Sequence, residues 1–394
     1  MALLLPLLLV CLAASAGAGA ESPLPPATAL FVLGDSTVSC AATTLPLNLT
    51  SPSLSTGPCL FPSTRRLLPA LLAAKMGLPP PPLISTLNGT AAAVAWGVNF
   101  GGQYGAGGAG GVFRAGAAVG QQLRLAAETL QLLQLEAATS PDAAERTARA
   151  VFVVSFGADA YARLLARGPA AADAAAPKHG RRGFGRLLAD RIVRTVAVQH
   201  CHLFFSRSSQ LRFTKHDRFD AQYLAGVQEL YEAGVRRVAM MGVAPLGCAP
   251  RVMWDGMNVL NGHSCVEEAN ELIRGYNARV AAQLDDLRAR LPDADIVFCD
   301  VYKGMMEIIS NPGRYGFEEA REACCGLGPF KASMGCFSKE MACRSPERHV
   351  WWDLYSPTEA IDALVANSSW SPPLGSDLSI CSPITLQQLA GSPA

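Results

Sequence analysis

Charge is scarce in this sequence, and neither sign is in excess. Only 16% of the 394 residues are charged, and 33 basic side chains stand against 32 acidic ones, which gives a formal net charge of +1. A nucleic-acid-binding surface needs an excess of Lys and Arg, so this balance excludes nucleic acid as the main partner. A disordered chain needs low hydrophobicity and high net charge, whereas 50% of these residues are hydrophobic. We therefore expect a folded, nearly neutral protein.

Long hydrophobic runs are lacking except at the start of the chain. Residues 3–14 form an apolar run of twelve, and small residues follow up to position 20. A membrane-spanning helix needs about 20 apolar residues, so this run is too short to span a bilayer. An apolar run followed by small residues is typical of a secretory signal peptide. We predict a cleaved signal over residues 1–20, a secreted chain and no transmembrane segment.

The sequence contains three Asn-x-Ser/Thr triplets, which are acceptors for N-glycosylation. They begin at Asn48, Asn88 and Asn367. Such triplets also occur by chance, but their presence agrees with a secreted protein. These three asparagines are therefore candidate glycosylation sites.

Cysteine is too dilute for a small disulfide scaffold, although the chain has 12. Removal of the predicted signal also removes Cys11, so 11 cysteines are left and at least one stays unpaired within the monomer. Short sequence separation favours a pair between Cys40 and Cys59, and another between Cys248 and Cys265. A further disulfide is expected within one cluster, which consists of Cys324, Cys325, Cys336 and Cys343. Zinc binding is the alternative for this cluster, but two CxxC pairs are lacking.

Short apolar runs rich in β-forming residues predict the strands of a parallel sheet. They cover residues 29–33, 94–100, 151–155, 237–243 and 295–301. Runs that are continuously apolar suit strands buried on both faces. Helical patterns lie between them, for example over residues 266–291 before Pro292. This alternation predicts a doubly wound α/β fold, with one domain over residues 21–394 and a Ser/Pro-rich tail that runs over the surface.

The residues that follow these strands are candidates for the active site, because ligands of α/β sheets bind at the carboxyl ends of the strands. The triplet Gly34-Asp35-Ser36 follows the first run. A serine in that place can present its hydroxyl group as the nucleophile of an acyl transfer. The alternative is that Asp35 and Ser36 only cap the next helix.

Five segments form a set of motifs in a fixed order. Residues 31–36 read FVLGDS, 97–100 GVNF, 242–250 GVAPLGCAP, 323–326 ACCG and 352–360 WDLYSPTEA. In this order and spacing the sequence resembles the plant GDSL esterase/lipase group of the SGNH hydrolases. The resemblance covers essentially the whole chain after the predicted signal. It implies a flavodoxin-like sheet and an esterase without a cofactor, which acts on an acyl lipid, a polyester or an acetylated cell-wall sugar outside the cell.

The resemblance also implies roles for individual residues. Ser36 matches the nucleophile, and its backbone N–H would contribute to the oxyanion hole. Gly107, with Gly108 as an equal alternative, would supply a second N–H from the glycine-rich loop. Asp353 matches the acid that orients the catalytic histidine.

One departure from the family pattern falls on the oxyanion hole. Residues 157–161 read GADAY, so Asp159 stands where the family has an asparagine. An ionised carboxylate only accepts hydrogen bonds, so it would repel the negative charge of an oxyanion unless burial kept it protonated. The loss of one oxyanion-hole donor typically costs about 10²–10³ in rate.

The second departure falls on the general base. Residues 353–357 read DLYSP, so Ser356 stands where the family has its catalytic histidine. A serine hydroxyl cannot accept the proton of Ser36 near neutral pH, and removal of the base costs roughly 10⁴–10⁶ in rate in comparable triads. His349 is the one histidine near this motif and is a candidate substitute base. The alternative for His349 is an ordinary surface histidine.

Two functions follow from these residues. The first is a secreted esterase with weakened activity, and the alternative is a catalytically silent SGNH-fold protein with a binding or regulatory role. A metal site is not expected, because His200 and His202, two residues apart, do not share a helix face and have no acidic neighbour.

Overall fold

A mixed five-stranded sheet forms the centre of the structure. The computed structural model describes residues 26–39, 66–101, 111–137, 149–165, 234–260, 265–336, 338–372 and 379–391. In chain order the strands are β1 (Leu30–Gly34), β2 (Val151–Ser155), β3 (Arg237–Met241), β4 (Asp295–Cys299), β5 (Glu319–Ala323), β6 (His349–Trp351) and β7 (Cys381–Ser382). The sheet has the order β1-β2-β3-β4-β7, and β5 pairs with β6 in a separate two-stranded ribbon.

The first four strands are parallel, and β7 lies antiparallel to β4 at the edge. Every residue of β1 and β2 is buried, as expected for strands covered on both faces. The four parallel strands lie within four of the predicted apolar runs, except that β1 extends one residue further, to Gly34. The prediction of an α/β fold with a mostly parallel sheet of about five strands is therefore confirmed.

Helices occupy connections between the strands, and one more follows the last strand. They are α1 (Leu68–Lys75), α2 (Ala91–Val94), α3 (Gly111–Ala137), α4 (Ala158–Leu165), α5 (Pro250–Leu260), α6 (Glu267–Arg290), α7 (Val301–Ser310), α8 (Glu359–Trp370) and α9 (Leu386–Leu389). Helix α6 ends just before Pro292, where the sequence predicted its end. Of the helices that the structure describes, none is long and apolar enough to cross a membrane.

The predicted strand over residues 94–100 is wrong as a regular strand. This segment does run beside β1, where Leu30 N–H donates to the Trp96 carbonyl at 3.1 Å and Val32 N–H donates to the Val98 carbonyl at 2.9 Å. With β1 the segment forms one isolated bridge, between Val32 and Asn99, and Asn99 forms a second one with Leu83. The physical reason is Gly97, whose φ of 110° interrupts the extended backbone.

The prediction that the tail runs over the surface is also wrong for residues 379–391. Strand β7 extends the sheet through β4, and a disulfide joins Cys381 to Cys299 of that strand. Leu386 and Leu389 of α9 are fully buried. Two leucines and a cysteine thus anchor a segment whose Ser and Pro content suggested a surface location.

Four disulfides cross-link the described residues. The predicted pair Cys248–Cys265 is confirmed. The predicted cluster contains two bridges rather than one, Cys324–Cys343 and Cys325–Cys336, which rules out zinc binding by these four thiols. The remaining bridge, Cys299–Cys381, was not predicted, and the proposed pair Cys40–Cys59 lies outside the described residues.

Gly97→Ala is expected to lower the free energy of unfolding far more than Gly77→Ala. Both glycines have a positive φ, 110° and 70°, which costs a residue with a Cβ roughly 1–2 kcal/mol. A Cβ at position 97 would lie 1.9 Å from the carbonyl oxygen of Leu30, whereas nothing lies within 4 Å at Gly77. In urea unfolding we expect a loss of about 1 kcal/mol for Gly77→Ala and at least about 3 kcal/mol for Gly97→Ala. Equal losses would contradict the close packing on β1.

Candidate active site

The register of β1 and β2 places Ser36 at the carboxyl edge of the sheet. Gly34 is paired with Ser155 at the ends of the two parallel strands, and Asp35 N–H donates to the Ser155 carbonyl at 3.0 Å. A Cβ on Gly34 would lie 2.5 Å from that carbonyl oxygen, so only glycine allows this approach. Ser36 comes directly after the paired residues, next to the loop that follows β2.

The side chain of Asp35 joins the loops after β1 and β2. Its Oδ2 accepts hydrogen bonds from the N–H groups of Gly157 at 2.9 Å and Asp159 at 3.1 Å. Its Oδ1 accepts from the N–H and the hydroxyl group of Thr37, at 3.2 and 3.0 Å. Burial raises the pKa of Asp35, and these hydrogen bonds act in the opposite direction. Residues 36–38 form a turn and not a helix, so the alternative of a helix cap is not supported there. Asp35 instead joins two loops that are far apart in sequence, which the sequence did not reveal.

The hydroxyl group of Ser36 contacts the carboxylate of Asp159. Ser36 Oγ donates a hydrogen bond to Asp159 Oδ1, and Arg163 lies 3.7 Å from Asp159 Oδ2, one helical turn further along α4. Asp159 is only 5% exposed. The carboxylate thus lies buried between a hydroxyl group and a guanidinium group.

The backbone N–H of Ser36 has no hydrogen-bond acceptor among the described residues, whereas the N–H groups of Asp35 and Thr37 are both bonded. This N–H can donate to an oxygen atom of a ligand. That is the property required of an oxyanion-hole donor.

Gln122 of α3 supports this edge, and the sequence analysis missed it. Its Oε1 accepts from Gly34 N–H and its Nε2 donates to the Gly34 carbonyl, both at 2.8 Å. Gln122 is buried among Val119, Leu123 and Ala126 on the apolar face of the helix. A polar residue in such a stripe was the signal that could have identified it, because buried polar groups need partners.

Asn99 supports the same edge from the other side of β1. Its Nδ2 donates to the Val38 carbonyl at 2.8 Å, and its Oδ1 accepts from Gly101 N–H at 2.9 Å. These bonds fix the start of the glycine-rich loop. Gly107 and Gly108 lie outside the described residues, so their role as oxyanion donors stays a prediction.

The segment after β3 is held to α6. Asn277 exchanges two hydrogen bonds of 2.9 Å with the backbone of Val243, and Gly247 N–H donates to Asn270 Oδ1 at 2.9 Å. The disulfide Cys248–Cys265 adds a covalent link. This segment ends at the start of α5 and forms a rigid support for the turn of Asp353.

Asp353 and Ser356 belong to one tight turn, which is bonded to α5. Asp353 Oδ1 accepts from the N–H groups of Tyr355 at 3.1 Å and Ser356 at 2.8 Å, and Arg251 N–H of α5 donates to the Leu354 carbonyl at 3.2 Å. Both hydrogen bonds that described residues make to this carboxylate fall on Oδ1. No described hydrogen bond joins Asp353 or Ser356 to Ser36.

His349 lies apart from these groups. It begins β6, and its Nδ1 is 3.1 Å from the Ser345 carbonyl oxygen and 3.6 Å from Cys343 Sγ. The described contacts of its ring do not include Ser36 or Asp353. The structure therefore lends no support to His349 as the substitute base.

The other predicted sites are only partly described. Asn88 is exposed, and its Oδ1 accepts from Thr90 N–H and Oγ1; Asn367 is exposed on α8. Asn48, His200 and His202 lie outside the described residues. Within the described ranges, no group of three or more His, Cys, Asp or Glu side chains could hold a metal ion.

Comparison with known proteins gives a consistent set of relatives. Three of them are from Arabidopsis thaliana: GDSL esterase/lipase At2g23540 is 33% identical over 194 residues (48% of this chain, 49% of that protein), At1g29660 is 30% identical over 188 residues (48% and 50%), and EXL3 is 37% identical over 134 residues (34% and 36%). The chain thus spans about half the length, or less, of the curated relatives it matches.

A match to a family model is far longer than these pairwise matches. The model for GDSL-like Lipase/Acylhydrolase aligns with residues 30–368. This range begins at β1, takes in Ser36 and Asp159, and extends beyond the turn of Asp353. Since it covers well over half of the sequence, the chain belongs to the GDSL-like lipase/acylhydrolase family.

Proposed function

We propose that this protein is a carboxyl-ester hydrolase that uses Ser36 as its nucleophile. The observation that carries the proposal is the position of Ser36 at the carboxyl edge of the sheet. There its hydroxyl group donates to a carboxylate and its N–H has no acceptor among the described residues. Attack of Oγ on an ester carbonyl carbon would release an alcohol and form an acyl-enzyme, which water would then hydrolyse.

The activity is weakened relative to a complete family site. The N–H of Ser36 and one from Gly107 or Gly108 are the proposed oxyanion donors, whereas the Asp159 carboxylate adds none because it accepts from Ser36. Ser356 supplies no imidazole. Fewer donors and the missing histidine both lower the rate of acyl transfer.

The substrate class that we propose is an acyl lipid, a polyester or an acetylated sugar. Leu327 and Met334 are large apolar residues whose exposed fractions are 46% and 52%. They pair across a short hairpin. Arg251 Nη1 lies within hydrogen-bond distance of the Ser333 carbonyl, and the backbone N–H of Arg251 bonds to Leu354 beside Asp353. An apolar hairpin linked to the Asp353 turn favours the acyl lipid and the polyester over the acetylated sugar.

Secretion and a single catalytic domain over residues 21–394 are part of the same proposal. Disulfides persist in oxidising compartments and are rare in the cytosol, so four of them favour an extracellular or cell-wall location. The exposed acceptors Asn88 and Asn367 agree with passage through a glycosylating compartment.

A silent binding or regulatory protein is the second candidate. The observation that favours it is the Asp353 turn, in which the carboxylate bonds to the turn's own N–H groups and Ser356 occupies the place of the base. In that case the region around Ser36 would bind an acylated ligand without turnover.

The substitution Ser36→Ala is expected to abolish ester hydrolysis and labelling by a fluorophosphonate probe. The reason is that Oγ is the atom that forms the covalent bond in both reactions. Hydrolysis of p-nitrophenyl acetate and p-nitrophenyl octanoate measures turnover, and in-gel fluorescence measures labelling. Ser310→Ala, at an exposed serine at the end of α7, is the matched control and should leave both readouts at the level of the parent.

Each outcome of this experiment separates the two candidate functions. Labelling and turnover that depend on Ser36 would rule out the silent protein. A parent protein that is folded but neither labelled nor active would rule out the esterase.

The double substitution Ser356→His with Asp159→Asn is expected to raise kcat/KM by at least about 10²-fold over Ser356→Gln with Asp159→Asn, because a positioned general base contributes 10²–10⁴. Asp353 would orient the new imidazole through Oδ2, since the turn uses Oδ1. A new step near pH 6.5, the ordinary pKa of histidine, should appear in the pH profile, with activity lost below it. Ser356→Gln with Asp159→Asn is the control of similar size without a base. No gain over that control would contradict the proposed role of Asp353.

A further inference from the structure

We infer that Asp159 is the general base that accepts the proton of Ser36 directly. This inference rests on the proposed function, because it assigns the missing proton acceptor of the same site. Asp159 would then act as a catalytic residue, and the protein would use a serine–aspartate pair where its family uses histidine.

The contact between the two side chains has the geometry that proton transfer needs. A general base must lie within hydrogen-bond reach of the proton that it removes. Ser36 Oγ already donates to Asp159 Oδ1. The proton therefore points at the carboxylate, and the lone pairs of Oγ are left for attack on a carbonyl carbon.

The backbone fixes Asp159 in this position. Its N–H donates to Asp35 Oδ2 at 3.1 Å, and the same carboxylate accepts from Gly157. Asp159 also lies in the first turn of α4, where the helix dipole favours a negative charge. A carboxylate held in this way needs no rearrangement before it accepts a proton.

Arg163 balances the charge of the buried carboxylate. It lies 3.7 Å from Oδ2, whereas Ser36 contacts Oδ1. The two oxygens thus face different partners. Oδ1 can take up a proton while Oδ2 keeps its contact with the guanidinium group.

Asp159 alone can accept and return every proton that the reaction moves. Ser36 Oγ forms a bond to the ester carbonyl carbon, and its proton moves to Asp159 Oδ1. When the C–O bond to the leaving group breaks, the carboxyl group of Asp159 returns the proton to the alkoxide, and the alcohol leaves. Water then attacks the acyl-enzyme and gives its proton to Asp159, which passes it to Ser36 Oγ as the acid is released.

The other described candidates do not reach Ser36. Asp353 bonds to the N–H groups of its own turn, and the Nδ1 of His349 lies against the Ser345 carbonyl. Among the described residues, Asp159 is the acceptor that contacts the hydroxyl group of Ser36.

The test is the single substitution Asp159→Asn, because the two interpretations of this residue predict opposite signs. If Asp159 is the base, the asparagine lowers the rate of Ser36 labelling and the kcat/KM for p-nitrophenyl esters by at least about 10²-fold. If Asp159 is only a poor oxyanion residue, the asparagine restores a donor and the rate rises. Circular dichroism and thermal unfolding would show whether the variant is folded.

A second variant keeps the test decisive if Asp159→Asn loses activity because its structure is disturbed. In the Ser356→His background a new base is present, so Asp159→Asn should no longer lower kcat/KM. A loss of the same size in both backgrounds would overturn the inference, because it would indicate a structural role.

The failure of this inference can be told apart from the failure of the proposed function. A parent that shows labelling dependent on Ser36, together with an Asp159→Asn variant that is labelled equally fast or faster, overturns the role of Asp159 and leaves the esterase intact. A parent without any Ser36-dependent labelling overturns both.

Discussion

The carboxylate of Asp35 is the contact on which the reactive edge of the sheet depends. Parallel pairing of β1 and β2 ends at Gly34 and Ser155, and beyond that point the ladder no longer satisfies the N–H groups of the two loops. Asp35 accepts hydrogen bonds from Gly157 and Asp159 across the gap and from Thr37 within its own loop. Because buried backbone groups need partners, this one side chain determines how the loops approach each other. The contact between Ser36 and Asp159 follows from that approach.

This geometry connects two departures from the family pattern that look independent in the sequence. In isolation, Ser356 removes a base and Asp159 removes an oxyanion donor, so each substitution points to a less active protein. In the structure, the carboxylate at the predicted asparagine position accepts a hydrogen bond from the hydroxyl group of Ser36. The proposed role of Asp159 thus supplies at one motif the acceptor that is missing at the other. With Asp159 as the proposed base, a chain that lacks the motif histidine still has a proton acceptor in contact with Ser36.

Most of the sheet could be predicted from the sequence, because a strand buried on both faces needs a continuous apolar run. The exceptions have physical causes that composition does not contain. Residues 94–100 are apolar, but the positive φ of Gly97 and its close approach to Leu30 prevent regular pairing. The tail is rich in Ser and Pro, yet Leu386 and Leu389 bury α9. Ser36 was identifiable from its motif, whereas its bond to Asp159 spans 123 positions and depends on strand register.

The residues of the candidate site fall into two groups, and different interactions fix each group in position. Hydrogen bonds to strand ends position Ser36 and Asp159, whereas disulfides and the contact of Leu354 with Arg251 position the turn of Asp353. A triad that uses histidine needs both groups in register, because its base and its nucleophile come from different ones. A serine–aspartate pair needs only the group built on β1 and β2. With Asp159 as the proposed base, the turn of Asp353 takes no part in proton transfer. Residues of that turn can then change to suit the substrate without loss of the nucleophile.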